Sequence, residues 1–326
     1  MATDEHLPRV LLIRKPKVFT LFGEESFTSK KFQFLKAYDS TLPLHQFLTT
    51  DADAKSVQAI FSTAPVTADI LQLLPMVRLV VATSAGLNHI DLAECRRLGV
   101  AVANSGTVFS EDVADVAVGL LIDVFRKMSA ASRYVRQGLW LAKGDYPLGS
   151  KLGGKRVGIV GLGSIGHEVA KRLEAFGCRI SYNSRKEKPG VEYSFYSDVS
   201  ELAGNSDALI ICCALTHQTH HMINKQVLLA LGKNGVIINV GRGGIIDEKE
   251  MVECLMKGEI GGAGLDVFEN EPHVPKQLFE LDNVVLSPHC AVATPDSLKN
   301  VCELAVKNLE AFFSNEPLLS PVTNDD

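Results

Sequence analysis

Three short islands in the second half of the chain carry side chains that could do chemistry together: Val240-Gly-Arg-Gly243, Asn270-Glu-Pro272 and Ser287-Pro-His289. Arg242 offers a planar, permanently charged fork that matches a carboxylate and can polarise a neighbouring carbonyl. Histidine titrates near working pH, so His289 suits delivery of a proton, and a nearby Glu271 carboxylate would favour the charged ring and fix its orientation. Hydride reduction of a 2-oxo acid needs these functions: a group to hold the carboxylate, one to polarise the carbonyl and one to supply a proton.

A hydride source has its own signature upstream. Val157-Gly-Ile-Val-Gly-Leu-Gly-Ser-Ile-Gly166 contains G-x-G-x-x-G as Gly161, Gly163 and Gly166, after a β-branched run and before the amphipathic stretch HEVAKRLEAF. In that context the first glycine permits a tight turn, the second lets the backbone approach a pyrophosphate and the third allows close helix–strand packing. The cofactor-binding residues expected here are Gly161, Leu162, Gly163, Ser164 and Ile165, at a helix start whose N–H groups face the anion. An NAD-specific domain places an acidic residue about 20 residues further on to hold the ribose hydroxyls. This chain instead reads Asn183-Ser-Arg-Lys186. Arg185 can donate a forked pair of hydrogen bonds to a 2′-phosphate and Ser184 a third, with Lys186 in the same turn, so NADP(H) is the expected cofactor.

The elements that must position these residues follow from the apolar pattern. Short Val/Ile-rich runs at Val10–Arg14, Ala59–Thr63, Leu79–Thr83 and Val100–Ala103 alternate with polar or amphipathic stretches, as in β-α-β units. A segment from Ser110, SEDVADVAVGLLIDVFRKMSAASRYV, has a Ser cap, an acidic first turn and a basic finish, and reads as one long helix. A second series of runs follows at Arg156–Val160, Ile180–Asn183, Ala208–Cys212, Val236–Val240, Gly262–Val267 and Val284–Ser287. Six strands with interleaved helices make a complete doubly wound sheet, and ligands of such sheets bind beyond the carboxyl ends of the strands, where all three islands fall. The last helical stretch, Asp296 to Phe313, has no strand after it and could pack back onto the first domain, making that domain discontinuous.

Composition agrees with small-molecule chemistry. The 326 residues are 46% hydrophobic and 22% charged with a net charge of −5, enough for two domains and without a basic footprint for nucleic acid or an anionic membrane. No apolar run approaches the ~18 residues of a membrane span. The acidic, polar start MATDEHLPRV resembles neither a signal nor a transit peptide, and the VTNDD end is not a peroxisomal tripeptide, so a cytosolic location is expected. Seven cysteines without C-x-x-C spacing fit reduced apolar fillers. His217, His220 and His221 cluster in sequence, but neither cysteine nor carboxylate accompanies them at ligand spacing, so no metal is expected.

Through VGIVGLGSIG, NVGRGGIIDE, GAGLDVFENEP and NVVLSPH, in that order, the chain resembles the D-isomer-specific 2-hydroxyacid dehydrogenase family from about Val10 to Val322. Within it the chain is most similar to plant NADPH-dependent glyoxylate, hydroxypyruvate and hydroxyphenylpyruvate reductases, given RYVRQGLW and YNSRK. The resemblance implies an α/β architecture of two doubly wound parallel-sheet domains. A Rossmann cofactor domain, about 108–290, would be inserted in a flavodoxin-like substrate domain, 1–107 with 291–326, and the active site would lie in the cleft of a homodimer subunit. It implies the catalytic roles given above for Arg242, Glu271 and His289, and backbone N–H groups of Ser84, Ala85 and Gly86 on the substrate carboxylate. Asp266 would contact the nicotinamide carboxamide, with Thr216, Val240 and Ala291 along the cofactor. Trp140 is implied as either a specificity residue or an interface anchor. Two stretches depart from the family: Cys290-Ala-Val292 replaces a common small hydroxyl pair, and Leu215-Thr-His-Gln-Thr219 replaces Leu-Thr-Pro-Glu-Thr. Glu271 argues against formate dehydrogenases of this fold, which pair their histidine with glutamine. A dinucleotide-sensing regulator of the corepressor type is the alternative function, although the chain lacks the long tails such a protein would use.

Overall fold

The computed structural model describes residues 7–323. The MATDEHLPRV start and the VTNDD end, which bear on location, fall largely outside the described residues. The chain forms two compact units, one from the described residues of Met1–Phe109 and Ala293–Asp326, the other from Ser110–Val292.

The first unit holds strands β1 (Arg9–Leu12), β2 (Gln33–Lys36), β3 (Val57–Ser62), β4 (Leu79–Ala82) and β5 (Ala101–Ala103), with helices α1 (Lys17–Phe22), α2 (Leu44–Thr50), α3 (Ala68–Leu73) and α4 (Leu92–Leu98). The pairings between these strands are all parallel, in the order β2-β1-β3-β4-β5. The central strands are buried on both faces, which is why they read as continuous apolar runs. One strand, β2, is absent from the sequence reading. Its QFLK is an edge strand with no fully buried residue, so the apolar run that reveals a central strand is missing.

The second unit is wound around seven parallel strands: β6 (Arg156–Val160), β7 (Arg179–Asn183), β8 (Ser194–Tyr196), β9 (Ala208–Ile211), β10 (Val236–Asn239), β11 (Gly262–Leu265) and β12 (Val284–Leu286). Their order is β12-β11-β10-β9-β6-β7-β8, so the winding reverses between β6 and β9. Seven strands replace the six expected, because β8 is again a short, half-exposed edge. Helices α5 (Ser110–Arg126), α6 (Met128–Arg136), α7 (Leu139–Lys143), α8 (Ser164–Ala175), α9 (Val199–Gly204), α10 (Lys225–Leu231) and α11 (Glu248–Lys257) cover the sheet and extend from it.

The single long helix expected from Ser110 is two helices. Lys127 takes a left-handed backbone, φ 55°, and the Asp123 carboxylate accepts from both the backbone N–H and the hydroxyl of Ser129. The side chain of Asp123 thus satisfies one of the N–H groups that open α6, and the chain turns there without a glycine or proline to announce it. Helix α5 buries Val113, Ala117, Leu120, Leu121 and Val124, the spacing of one helical face. A Cβ on Gly262 would stand 2.8 Å from Val124, and one on Gly264 would stand 3.0 Å from Leu120, so bare backbone on β11 lets α5 lie close.

The final helix α12 (Pro295–Phe313) returns to the first unit, where it packs on α1 and β4. Asn308, fully buried on α12, donates to Ser320 Oγ at 3.0 Å and accepts from Leu319 N at 2.9 Å. The closing segment then bonds β5, with Val322 N donating to Val102 O at 2.8 Å.

Candidate active site

The residues expected to do chemistry in the second unit stand on loops that leave the carboxyl ends of its strands. Arg242 follows β10, and its loop is shaped by buried Asn239, which accepts from Gly241 N at 3.0 Å and donates to Arg242 O at 3.0 Å. The Arg242 guanidinium donates to Gly241 O at 2.6 Å. Burial pushes the Arg242 guanidinium below its ordinary value, and the Glu271 carboxylate opposes that shift. Gly243 is required by close approach, since a Cβ there would stand 1.9 Å from the Phe268 carbonyl carbon. The Arg242 loop therefore lies directly against the loop that carries Glu271.

Glu271 spans two contacts. Its Oε1 accepts from Phe268 N at 3.0 Å, and its Oε2 lies 2.7 Å from His289 Nδ1. A carboxylate oxygen can only accept, so Nδ1 is the ring nitrogen that donates in this bond. His289 itself has a left-handed backbone, φ 52°, a conformation costing roughly 1–2 kcal/mol outside glycine. Its N–H donates to Asp266 O at 2.8 Å, which helps hold it there.

Asp266 organises the rest of that loop. Only 1% exposed, its carboxylate accepts from Ser287 Oγ at 2.6 Å, Cys290 N at 3.0 Å and Ala291 N at 3.1 Å. Asn239 and Ser287 are structural supports of these loops that the sequence does not single out: Asn239 closes the buried strand β10, and Ser287 follows the half-buried β12.

The glycine loop joins β6 to α8, and its three glycines differ in surroundings. A Cβ on Gly161, φ 95°, would stand 2.6 Å from the Cys213 backbone after β9, and one on Gly166 would stand 2.3 Å from Gly161 O. A Cβ on Gly163 would meet nothing within 4 Å, so this backbone faces open space at the start of α8. Leu162 is buried beneath it, while Ser164 and Ile165 begin the helix. The turn after β7 is tied to the loop by Gly161 N donating to Asn183 O at 2.9 Å. In that turn Ser184 Oγ donates to Lys186 O at 2.6 Å, and Arg185 and Lys186 are exposed. A dinucleotide fits this arrangement: an open backbone and helix start for phosphates, and cationic side chains on the adjacent turn.

Thr216 lies on the loop after β9, exposed, its N–H donating to Thr219 Oγ1 at 2.8 Å, and Val240 is buried where β10 ends. Ser84, Ala85 and Gly86 belong to the first unit, beyond β4, where Ser84 Oγ donates to Gly86 O at 2.9 Å. Trp140 on α7 is 62% exposed. The histidine pair does have a carboxylate, Glu269, whose Oε1 lies 2.8 Å from His221 Nε2 although 48 positions separate them in sequence.

A doubly wound sheet with a dinucleotide-type glycine loop and an Arg–Glu–His edge defines a nicotinamide-dependent oxidoreductase architecture. The chain belongs to the D-isomer specific 2-hydroxyacid dehydrogenase family, whose NAD binding domain model matches residues 118–291. It is 56% identical over 325 residues to a glyoxylate/hydroxypyruvate reductase of Arabidopsis thaliana, covering 100% of both chains. It is 49% identical to the hydroxyphenylpyruvate reductase of Plectranthus scutellarioides over 82% of this chain and 86% of that one. Among solved structures, the NADPH-dependent glyoxylate/hydroxypyruvate reductase of Sinorhizobium meliloti, in complex with NADP and malonate, superposes with a TM-score of 0.87. The two are 35% identical, with 97% of each chain covered.

Proposed function

We propose that the protein is an NADPH-dependent reductase of small 2-oxo acids, taking hydroxypyruvate, glyoxylate or 4-hydroxyphenylpyruvate to the D-2-hydroxy acid. The observation that carries this reading is the His289–Glu271 pair, Nδ1 to Oε2 at 2.7 Å, on the sheet edge that also bears Arg242 and the glycine loop. A bound nicotinamide dinucleotide would supply the hydride. Arg242 holds the substrate carboxylate and draws charge onto the carbonyl oxygen, and His289 Nε2 delivers the proton that oxygen needs as the carbon is reduced. Ser84, Ala85 and Gly86 would add backbone donors to the carboxylate. Asp266 anchors the His289 loop and would meet the nicotinamide carboxamide, with Ala291 beside it and Val240 and Thr216 along the dinucleotide.

Preference for NADPH over NADH would rest on Ser184, Arg185 and Lys186. A charge-assisted bond contributes about 1.5–3 kcal/mol, roughly one to two decades of affinity. Replacing Arg185 by alanine is therefore expected to raise KM for NADPH about tenfold or more while leaving NADH nearly unchanged. Equal loss for both cofactors would overturn the assignment. The deciding experiment measures kcat/KM for the three oxo acids, each with NADPH and with NADH. Binding of NADPH without turnover of any of them would favour the dinucleotide-sensing regulator, which has no counterpart among the relatives named above.

The working form would be a homodimer in the cytosol, with the Ser110–Val292 unit holding the cofactor. Seven free cysteines suit a reducing compartment. Trp140, Leu141 and Leu148, 62%, 97% and 92% exposed, make an apolar arm suited to a second copy.

A further inference from the structure

The loop after β9 brings a second set of reactive side chains together outside the Arg–Glu–His edge. His220 and His221 stack with ring centroids 4.0 Å apart and an interplanar angle of 23°. With Glu269 they offer two imidazole nitrogens and a carboxylate oxygen, all within 4.8 Å of one another. His221 Nδ1 lies 3.9 Å from the Asp247 carboxylate, so the ring nitrogen turned away from Glu269 also has an acidic neighbour. His220 is exposed and the other two are half-buried, which leaves the group open to solvent on one side.

We propose that His220, His221 and Glu269 bind a divalent transition-metal ion of the zinc class, and that the bound ion slows turnover. Two imidazoles and one carboxylate are a three-ligand set that zinc accepts, whereas calcium and magnesium require more oxygen donors. Ligands about 2.0–2.2 Å from a tetrahedral ion stand somewhat over 3 Å apart. The His221–Glu269 pair, at 2.8 Å, is already near that spacing, and exposed His220 can close the remainder by side-chain rotation. Water would take the fourth position. Asp247 is placed to orient the His221 ring from behind, the usual task of an outer carboxylate.

The effect on turnover follows from what the three residues are attached to. His221 N donates to Gly244 O at 2.9 Å, two residues beyond Arg242. Glu269 precedes Glu271 by two residues in the loop whose Phe268 N–H bonds Glu271 at 3.0 Å. An ion that draws His220 and Glu269 together therefore pulls on the loop that presents Glu271 to His289.

Cobalt(II) tests both parts because its visible absorption reports coordination independently of which oxo acid is turned over. The full-length protein is titrated with cobalt(II) and zinc(II), recording the spectrum and NADPH oxidation at each step, alongside His220→Ala and Glu269→Gln. The expected result is one equivalent of four-coordinate cobalt and a parallel fall in kcat, with affinity reduced at least about tenfold in each variant. Retained basal activity in His220→Ala shows that this variant is folded. Absent cobalt bands, or binding unchanged in both variants, would overturn the site. So would a thiolate-to-cobalt charge-transfer band, which would place the ion on Cys290, the one exposed cysteine. Cobalt that binds without lowering kcat would overturn the slowing of turnover.

Discussion

Glu271 fixes the His289 tautomer through one oxygen and its own loop through the other, and a single substitution separates the two. In Glu271→Gln the amide oxygen can still accept from Phe268 N, so the loop keeps its shape, while the amide NH2 faces His289 Nδ1. That nitrogen must then accept rather than donate, which moves the ring proton to Nε2 and reverses the hydrogen bond that Glu271 makes. The expected outcome is a fall in kcat of about two decades with KM for the oxo acid changed far less and the same Tm, read by steady-state kinetics and thermal unfolding. An unaltered kcat would remove Glu271 from proton delivery. Arg242, Glu271 and His289 were legible because each sits in a short motif whose residue types have few other joint uses. Glu269 was not legible as a partner of His221, since 48 residues separate them and only the packing of two loops unites them. Asn239 and Ser287 were overlooked for a different reason: a polar residue at a strand end looks like the start of an ordinary turn.

At the scale of elements, the central strands follow from the apolar pattern, as do helices α8 and α12. Both strands missed are edges, β2 and β8, where one side of the ladder is unpaired and continuous burial is not required. The break between α5 and α6 has no glycine or proline and depends on Asp123 reaching Ser129, a contact that helical periodicity does not register. Lys127 carries the conformational cost at that break. Lys127→Gly relieves a left-handed φ of 55° and is expected to raise stability by up to about 1 kcal/mol, less the extra chain entropy of glycine. Denaturant unfolding of the second unit's transition checks it; a clear loss of stability would show that the lysine side chain contributes more than its backbone costs. The glycine loop gives a sharper contrast. Gly166→Ala puts a Cβ 2.3 Å from a backbone oxygen and is expected to destabilise the protein, whereas Gly163→Ala, facing open space, should fold normally and lose dinucleotide affinity. Thermal unfolding and NADPH fluorescence titration distinguish the two.

For the whole molecule, the apolar arm from α6 to residue 150 is the feature that one isolated chain leaves unexplained. Leu141→Asp, at a residue 97% exposed, should leave a folded monomer intact but shift a dimer toward monomer in sedimentation analysis. An unchanged dimer would place the interface elsewhere. The chain's topology also sets an order of events. The first unit lacks α12 and the 319–322 segment until the entire second unit has been made, because those pieces follow Val292. On a ribosome, which extends the chain at about 5–20 residues per second, β1 to β5 must wait through some 180 residues for their final helix. The second unit is contiguous and can close as soon as β12 emerges. The portion of the protein synthesised first is therefore the portion completed last, and its half-covered sheet is where a chaperone would find apolar surface during synthesis.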